Sequence, residues 1–321
     1  MLTTALTRIL NVRVPVLNAP MTPQAGGKLA LAVSRAGAFG MVGLNEDDSP
    51  DEIATQLAIL KDQDVPFGVG LVAWVLERRP ELLDLALNAR PHLVSVSFGN
   101  PAPYMQRLRD AGVTVAAQVQ DAASARVALL AGVDLLVAQG GEAGGHTGTI
   151  GTLPLLQLLL DLSDRPVLAA GGIATGRGLA AVLAAGAAGA WIGTPFLLAD
   201  ESRAAEAAKD TIIASDETQT IYTSVFDRLQ DKGWTSAIRG RAIANSFARE
   251  WTGREADLLA NATARKQFET ATHARDYDVA HIYAGQSIGT LSRRRTAADI
   301  VEDLERQAVA RLRAVTATLN A

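Results

Sequence analysis

Residues 166–194 read PVLAAGGIATGRGLAAVLAAGAAGAWIGT, and the fold turns on how this stretch is parsed. From Gly178 to Ala199 it carries no charge, long enough to suggest a membrane-spanning helix. Gly186, Gly189, Gly193 and Pro195 cut that window into pieces. What remains is a strand, PVLAA, a glycine loop, a short Ala/Leu helix and a second strand, GAWIG, which is how a buried β/α/β unit reads. A membrane role is therefore not expected.

Working outward, short β-rich apolar runs recur along the chain: PVLNAP from Pro15, FGMVG from Phe39, PFGVGLVAW from Pro66, LVSVSFG from Leu93, VTVAAQV from Val113 and VDLLVAQ from Val133. With the two in the opening stretch they make eight. Their starts lie roughly 20 to 35 residues apart, the length of a strand, a crossover helix and two loops. Segments such as SPDEIATQLAILKDQ and DAASARVALLAG between them place apolar residues three and four apart and begin at capping residues. Eight such units predict a (β/α)8 TIM barrel, with an open doubly wound sheet as the alternative. After Glu201 the pattern changes. Residues 201–290 are expected to form a helical insertion over the barrel mouth, and residues 1–200 and 291–321 the barrel itself.

Composition excludes several function classes. The chain is 48% hydrophobic, 20% charged and only 5% aromatic, with a net charge of −4. It lacks the basic footprint of a nucleic-acid or anionic-membrane binder and the aromatic platform of a single-strand binder. With no cysteine, it can hold neither iron–sulfur clusters nor zinc–thiolate sites, and no metal site is expected. The N-terminus has no export-signal pattern, so a cytoplasmic location is expected; self-association is left open.

In a barrel the ligand sits at the carboxyl ends of the strands. After the seventh strand comes AAGGIATGRG and after the eighth IGTPF, so Gly171, Gly172, Gly193 and Thr194 could present backbone N–H groups to a phosphate. Gly176–Ala181 also matches the dinucleotide pattern GxGxxA, but the glycines come too late after the strand, and no acidic residue ends the next one. After the sixth strand, AQGGEAGGHTG places His146 on a loop of glycines. Lone histidines are more often structural, but this one lies at the active end of a barrel strand, where a neutral imidazole can take a proton from a substrate carbon. Glu142 is a candidate to orient it.

NAPM at the first strand, GGEAGGHTG, AAGGIATGRG and GAWIGTPFLLADES together resemble the nitronate monooxygenase family, formerly the 2-nitropropane dioxygenases, through most of residues 15–202. The resemblance implies an FMN-dependent barrel in which His146 is the catalytic base and the strand-seven and strand-eight loops hold the phosphate. It further implies that Ala19, Pro20 and Met21 pass under the flavin ring, that Gln118 and Gln139 bond the ring or ribityl chain, and that Gly144 and Gly145 frame the same site. Relatives often carry an asparagine on the third strand where this chain has Gly70. YAGQ, from Tyr283, resembles part of the family's lid. The implied reaction is oxidation of an alkyl nitronate or nitroalkane by O2 to a carbonyl compound and nitrite. An NAD(P)H-dependent flavin reductase acting on enoyl thioesters or quinones is the runner-up, and a flavin-free phosphate-binding isomerase the reading from another class.

Overall fold

The computed structural model describes residues 2–44 and 46–319. Its central sheet has eight parallel strands: β1 (Val16–Asn18), β2 (Gly40–Gly43), β3 (Phe67–Val72), β4 (Leu93–Ser97), β5 (Thr114–Val119), β6 (Leu135–Gln139), β8 (Val167–Ala170) and β9 (Gly189–Ile192). A short strand, β7 (Gly145–Thr147), lies outside the ring. The order β1-β9-β8-β6-β5-β4-β3-β2 is that of a TIM barrel. Each of the eight apolar runs read from the sequence contains one of these strands.

The ring closes where β1 meets β2, and here the ladder is thin. A single bridge, Leu17 to Phe39, spans the seam, with the Phe39 N–H donating to the Val16 carbonyl at 2.9 Å. Buried Asn18 supplies the missing bonds. Its Nδ2 donates to the Met41 carbonyl at 2.9 Å and its Oδ1 accepts from the Met41 N–H at 2.8 Å, so one side chain mimics a ladder pair.

Inside the ring, Leu17, Phe39, Met41, Leu93, Leu135, Val137, Leu168 and Trp191 pack into a layered core. The floor of the barrel is sealed by the helix Ala5–Leu10, whose Leu6 and Leu10 join that cluster. A capping box between Thr4 and Thr7 starts this helix. Leu29, Val33, Leu82, Leu155, Leu179 and Val301 belong to the larger core between strands and outer helices. The window 178–199 is divided among the helix Gly176–Ala184, β9 and the turn of helix Thr194–Leu197. No helix among the described residues is long and apolar enough to cross a membrane.

The segment after β9 is less uniformly helical than its sequence suggests. It contributes β10 (Thr220–Thr223) and β11 (Arg239–Ile243), which with β7 form a three-stranded antiparallel sheet in the order β10-β11-β7. Phe226, Phe247, Trp251 and Phe268 build a separate small core there. The final helix, Ala297–Leu319, returns to the ring, where its Val301, Leu304 and Ala308 are buried in the main core.

Candidate active site

A cavity of about 1160 Å³ opens at the carboxyl ends of the strands. Pockets for drug-sized ligands run to about 1,000 Å3, so this one has room for a cofactor and a substrate together. The catalytic and cofactor-binding residues expected from the sequence line it: Ala19, Pro20 and Met21 after β1, Gly70 on β3, Gln118 on β5, Gln139, Gly144, Gly145 and His146 at and after β6, Gly171 and Gly172 after β8, and Gly193 and Thr194 after β9. The structure thus brings them to one place.

One corner is rich in unused backbone donors. Gly171 and Gly172 adopt φ of +105° and +70°, conformations that L side chains rarely hold. The N–H groups of Gly171, Gly172 and Gly193 donate to no other described residue. The helix Gly176–Ala184 behind them is already capped, since its Gly178 N–H donates to Thr175 Oγ1 and its Gly176 N–H to Gln307 Oε1. The glycine pattern that mimics a dinucleotide motif is therefore the first turn of that helix.

Deeper in the cavity, the Trp191 indole N–H is buried without a partner among the described residues, in a side chain only 2% exposed. A buried donor left unpaired costs about 1–3 kcal/mol. Gln139 accepts from Gln120 Nε2 at 2.8 Å through its Oε1, and the side chain of half-buried Gln118 bonds no described residue. Unspent backbone donors at one end and unspent polar side chains along the wall match a ligand with a phosphate and a polar ring. They fit FMN. At Gly70 a Cβ would lie 2.4 Å from Pro20 Cβ, so the space for a larger residue there is taken by the turn after β1.

His146 sits on β7, whose register against β11 pairs it with Gly240. Its Nε2 lies 2.6 Å from Asp227 Oδ1. The same oxygen accepts from the Tyr283 hydroxyl at 3.3 Å. Trp234 stacks flat on the imidazole, with centroids 3.7 Å apart and planes 9° from parallel, and Trp74 and Phe98 pack edge-on against Trp234. Because a carboxylate can only accept, Nε2 carries a proton, and in the neutral imidazole the lone pair then lies on Nδ1. Burial and the adjacent Asp227 charge push the Tyr283 hydroxyl well above its ordinary range. His281 is held down to about 4, mainly by burial, with the Asp227 charge opposing and His146 assisting the shift.

Glu142 does not orient His146. Its Oε1 accepts from the Thr152 N–H at 2.8 Å, so it caps the helix Thr152–Leu162 instead. The glycine loop is braced further by Arg241, whose Nε donates to the Gly141 carbonyl at 2.7 Å, and by Thr147, whose hydroxyl donates to the Gly140 carbonyl at 3.0 Å. Tyr283 and the residues after it tuck against this loop. The Gly285 N–H donates to Thr194 Oγ1 at 2.9 Å and the Gln286 N–H to the Glu142 carbonyl at 2.9 Å. Asp227 and Trp234 escaped the sequence reading altogether. Neither carries a local signal, one being an ordinary acid on a helix and the other a tryptophan in a polar stretch.

A family model described as nitronate monooxygenase matches residues 76–307. The chain belongs to the nitronate monooxygenase family. It is a flavin-dependent oxidoreductase, as are its relatives. It is 34% identical over 276 residues to the (3aS,4S,5R,7aS)-5-hydroxy-7a-methyl-1-oxo-octahydro-1H-indene-4-carboxyl-CoA dehydrogenase of Rhodococcus jostii (strain RHA1), covering 84% of this chain and 74% of that one. Among solved structures, FabK from Thermotoga maritima superposes with a TM-score of 0.86 at 26% identity, covering 99% of this chain and 100% of that one. A nitroalkane oxidase from Streptomyces ansochromogenes superposes with a TM-score of 0.80 at 29% identity over 98% of this chain and 100% of that one.

Proposed function

We propose that this member of the nitronate monooxygenase family is an FMN-dependent oxidase of nitroalkanes and their nitronates, with His146 as the catalytic base. The observation that carries this reading is the His146–Asp227 pair at 2.6 Å, set in the wall of a cavity whose donors suit FMN. Gly171, Gly172 and Gly193 would hold the phosphate through their backbone N–H groups, with Thr194 beside them. Ala19, Pro20 and Met21 would lie under the ring, Gln118 and Gln139 would bond its polar edge or the ribityl chain, and Gly70, Gly144 and Gly145 would frame the same site. FMN, when bound, supplies the redox chemistry, accepting the electrons that O2 later takes up.

The work of the chain itself is proton transfer and placement. His146 Nδ1 removes the proton from the carbon bearing the nitro group; the C–H bond breaks and its electron pair spreads onto the nitro oxygens. The resulting imidazolium is stabilised by Asp227. A preformed nitronate needs no such step and requires only orientation.

A second reading rests on cavity size and on the dehydrogenase relative. A small nitroalkane leaves much of the 1160 Å³ unfilled, whereas a substrate carried on coenzyme A would extend toward the helix Ala262–Ala274, whose Arg265 and Thr272 line the outer part. Anaerobic stopped-flow absorbance separates the two. Bleaching of the flavin by 2-nitropropane and by propyl-2-nitronate, reversed by O2, is expected. Bleaching only by NADH, NADPH or a carboxyl-CoA thioester would replace the first reading with the second.

A further inference from the structure

We infer that Asp227 is the positioning residue of the His146 base, holding the proton on Nε2 so that Nδ1 is the atom that accepts the substrate proton. This rests on the reading of His146 as the base. Three observations carry it. First, Asp227 is 6% exposed, and the shortest bond its carboxylate makes among the described residues is the one to His146 Nε2. A buried carboxylate loses several kcal/mol of solvation, so that bond is a main offset to the cost of placing the group there. Second, the carboxylate is itself oriented by a second donor, the Tyr283 hydroxyl on the same Oδ1. Third, the imidazole cannot turn to offer Nε2 to a substrate without losing its bond to Asp227, and Trp234 fixes the plane in which the ring lies.

The parts come from separate stretches of chain. His146 is delivered by the barrel loop after β6, whereas Asp227 lies on the helix Val225–Gln230, Trp234 on the loop that follows it, and Tyr283 nearly sixty residues further along. The β7–β11 pairing ties the two sides together at His146 itself. The base is therefore complete only when the segment after β9 is docked on the barrel. The groups facing the His146–Asp227 pair are Tyr283 and His281, whose ring lies 4.7 Å from that of Tyr283. Burial favours the neutral form of both, so neither brings a charge to the imidazole.

The test compares the holoenzyme with its Asp227→Asn, Tyr283→Phe and His146→Asn variants. Asp227→Asn keeps the shape but lets the amide donate to Nε2, favouring the other tautomer. Flavin reduction by neutral 2-nitropropane is expected to slow about 100-fold, on the scale seen when a histidine loses its orienting carboxylate. Reduction by propyl-2-nitronate should change less than threefold, and flavin affinity should hold. Nitrogen-15 NMR of the imidazole should show protonated Nε2 in the parent and a shift toward protonated Nδ1 in Asp227→Asn. Tyr283→Phe, which removes only the outer donor, should retain the parent tautomer and lose severalfold in rate.

An Asp227→Asn protein with the parent tautomer and a 2-nitropropane rate within threefold would overturn the inference. If His146→Asn slowed that reaction while Asp227→Asn did not, only the positioning role would fall. If neither slowed it, the base assignment would fall too. Should the parent respond to neither nitro compound, the proposed substrate is wrong and the tautomer spectra alone decide the role of Asp227.

Discussion

At the scale of single residues, the site depends on close approach as much as on chemistry. Gly144 lies where the glycine loop touches the segment running on from Tyr283. A Cβ there would come within 2.6 Å of the Ala284 carbonyl carbon and 2.7 Å of the Gly285 nitrogen, both main-chain atoms that cannot swing aside. Gly144→Ala must therefore push the segment away. Gly285 is then expected to lose its bond to Thr194, and the loop that carries His146 to shift with it. We predict that this substitution weakens FMN binding at least tenfold, about 1.4 kcal/mol, and destabilises the flavin-free protein by a further ~1–3 kcal/mol. Fluorescence titration with FMN and urea unfolding measure the two. Parent-like affinity would mean that the segment yields and that its contact with the loop is incidental.

At the scale of elements, what was legible in the sequence follows from how local each signal is. The eight barrel strands are apolar runs fenced by glycine and proline, and each declares itself within about ten residues. β7, β10 and β11 do not. GHT, TIYT and RGRAI are short and partly polar, and they become strands because they pair with one another across up to about ninety residues of chain. The partner of His146 is nonlocal in the same way: Glu142 is the candidate the sequence offers, and Asp227 has no local signal. Nearness in sequence favoured Glu142, but the loop turns its carboxylate toward the start of the next helix, and the partner comes from 81 residues away. The lid contacts belong to this nonlocal class as well. Lys232 Nζ lies 2.8 Å from both Glu46 and Asp47, tying the loop of Trp234 to the loop after β2. Desolvation lowers the pKa of this ammonium, but the bonds to Asp47 and Glu46 outweigh it and leave the value raised. On the lysine side the tie therefore persists through the neutral range and is lost as the pH rises beyond the range of an ordinary lysine. Lys232→Met should cost ~1 kcal/mol locally, raising amide exchange about fivefold in residues 231–237 and leaving the barrel strands unchanged. Hydrogen-exchange mass spectrometry reads this directly, and unchanged exchange would show that Trp234 is held by its aromatic contacts alone.

At the scale of the whole molecule, the segment after β9 has its own small core, and that core contains a group sensitive to acid. His281 packs between Phe226, Phe268 and Tyr283 and bonds the Gln230 side chain at 3.4 Å. Burial holds its pKa near 4, below the 6.5 of a free histidine. The sign follows from which state takes up the proton first. As the pH falls below 6.5, the unfolded chain protonates at this position while the folded one does not, so the equilibrium moves toward unfolding. The contribution of His281 is complete above pH 6.5, declines between 6.5 and 4, and changes little below that. A shift of this size corresponds to about 3 kcal/mol at most, a large share of an ordinary folding free energy of about 5–15 kcal/mol. Because His281 faces the same Asp227 that bonds His146, acid should loosen this segment and separate Asp227 from His146 before the barrel unfolds. His281→Phe keeps an aromatic ring among its neighbours and removes the titration. Urea unfolding at pH 7 and pH 4.5 should then show a smaller loss of stability in the variant than in the parent, by about 2–3 kcal/mol. In the parent, tryptophan fluorescence from the Trp234 region should change at a higher pH than the far-ultraviolet circular dichroism of the barrel. Coincident transitions, with equal losses in parent and variant, would mean that the carboxylates of the whole chain govern its acid lability and that His281 has no special part in it.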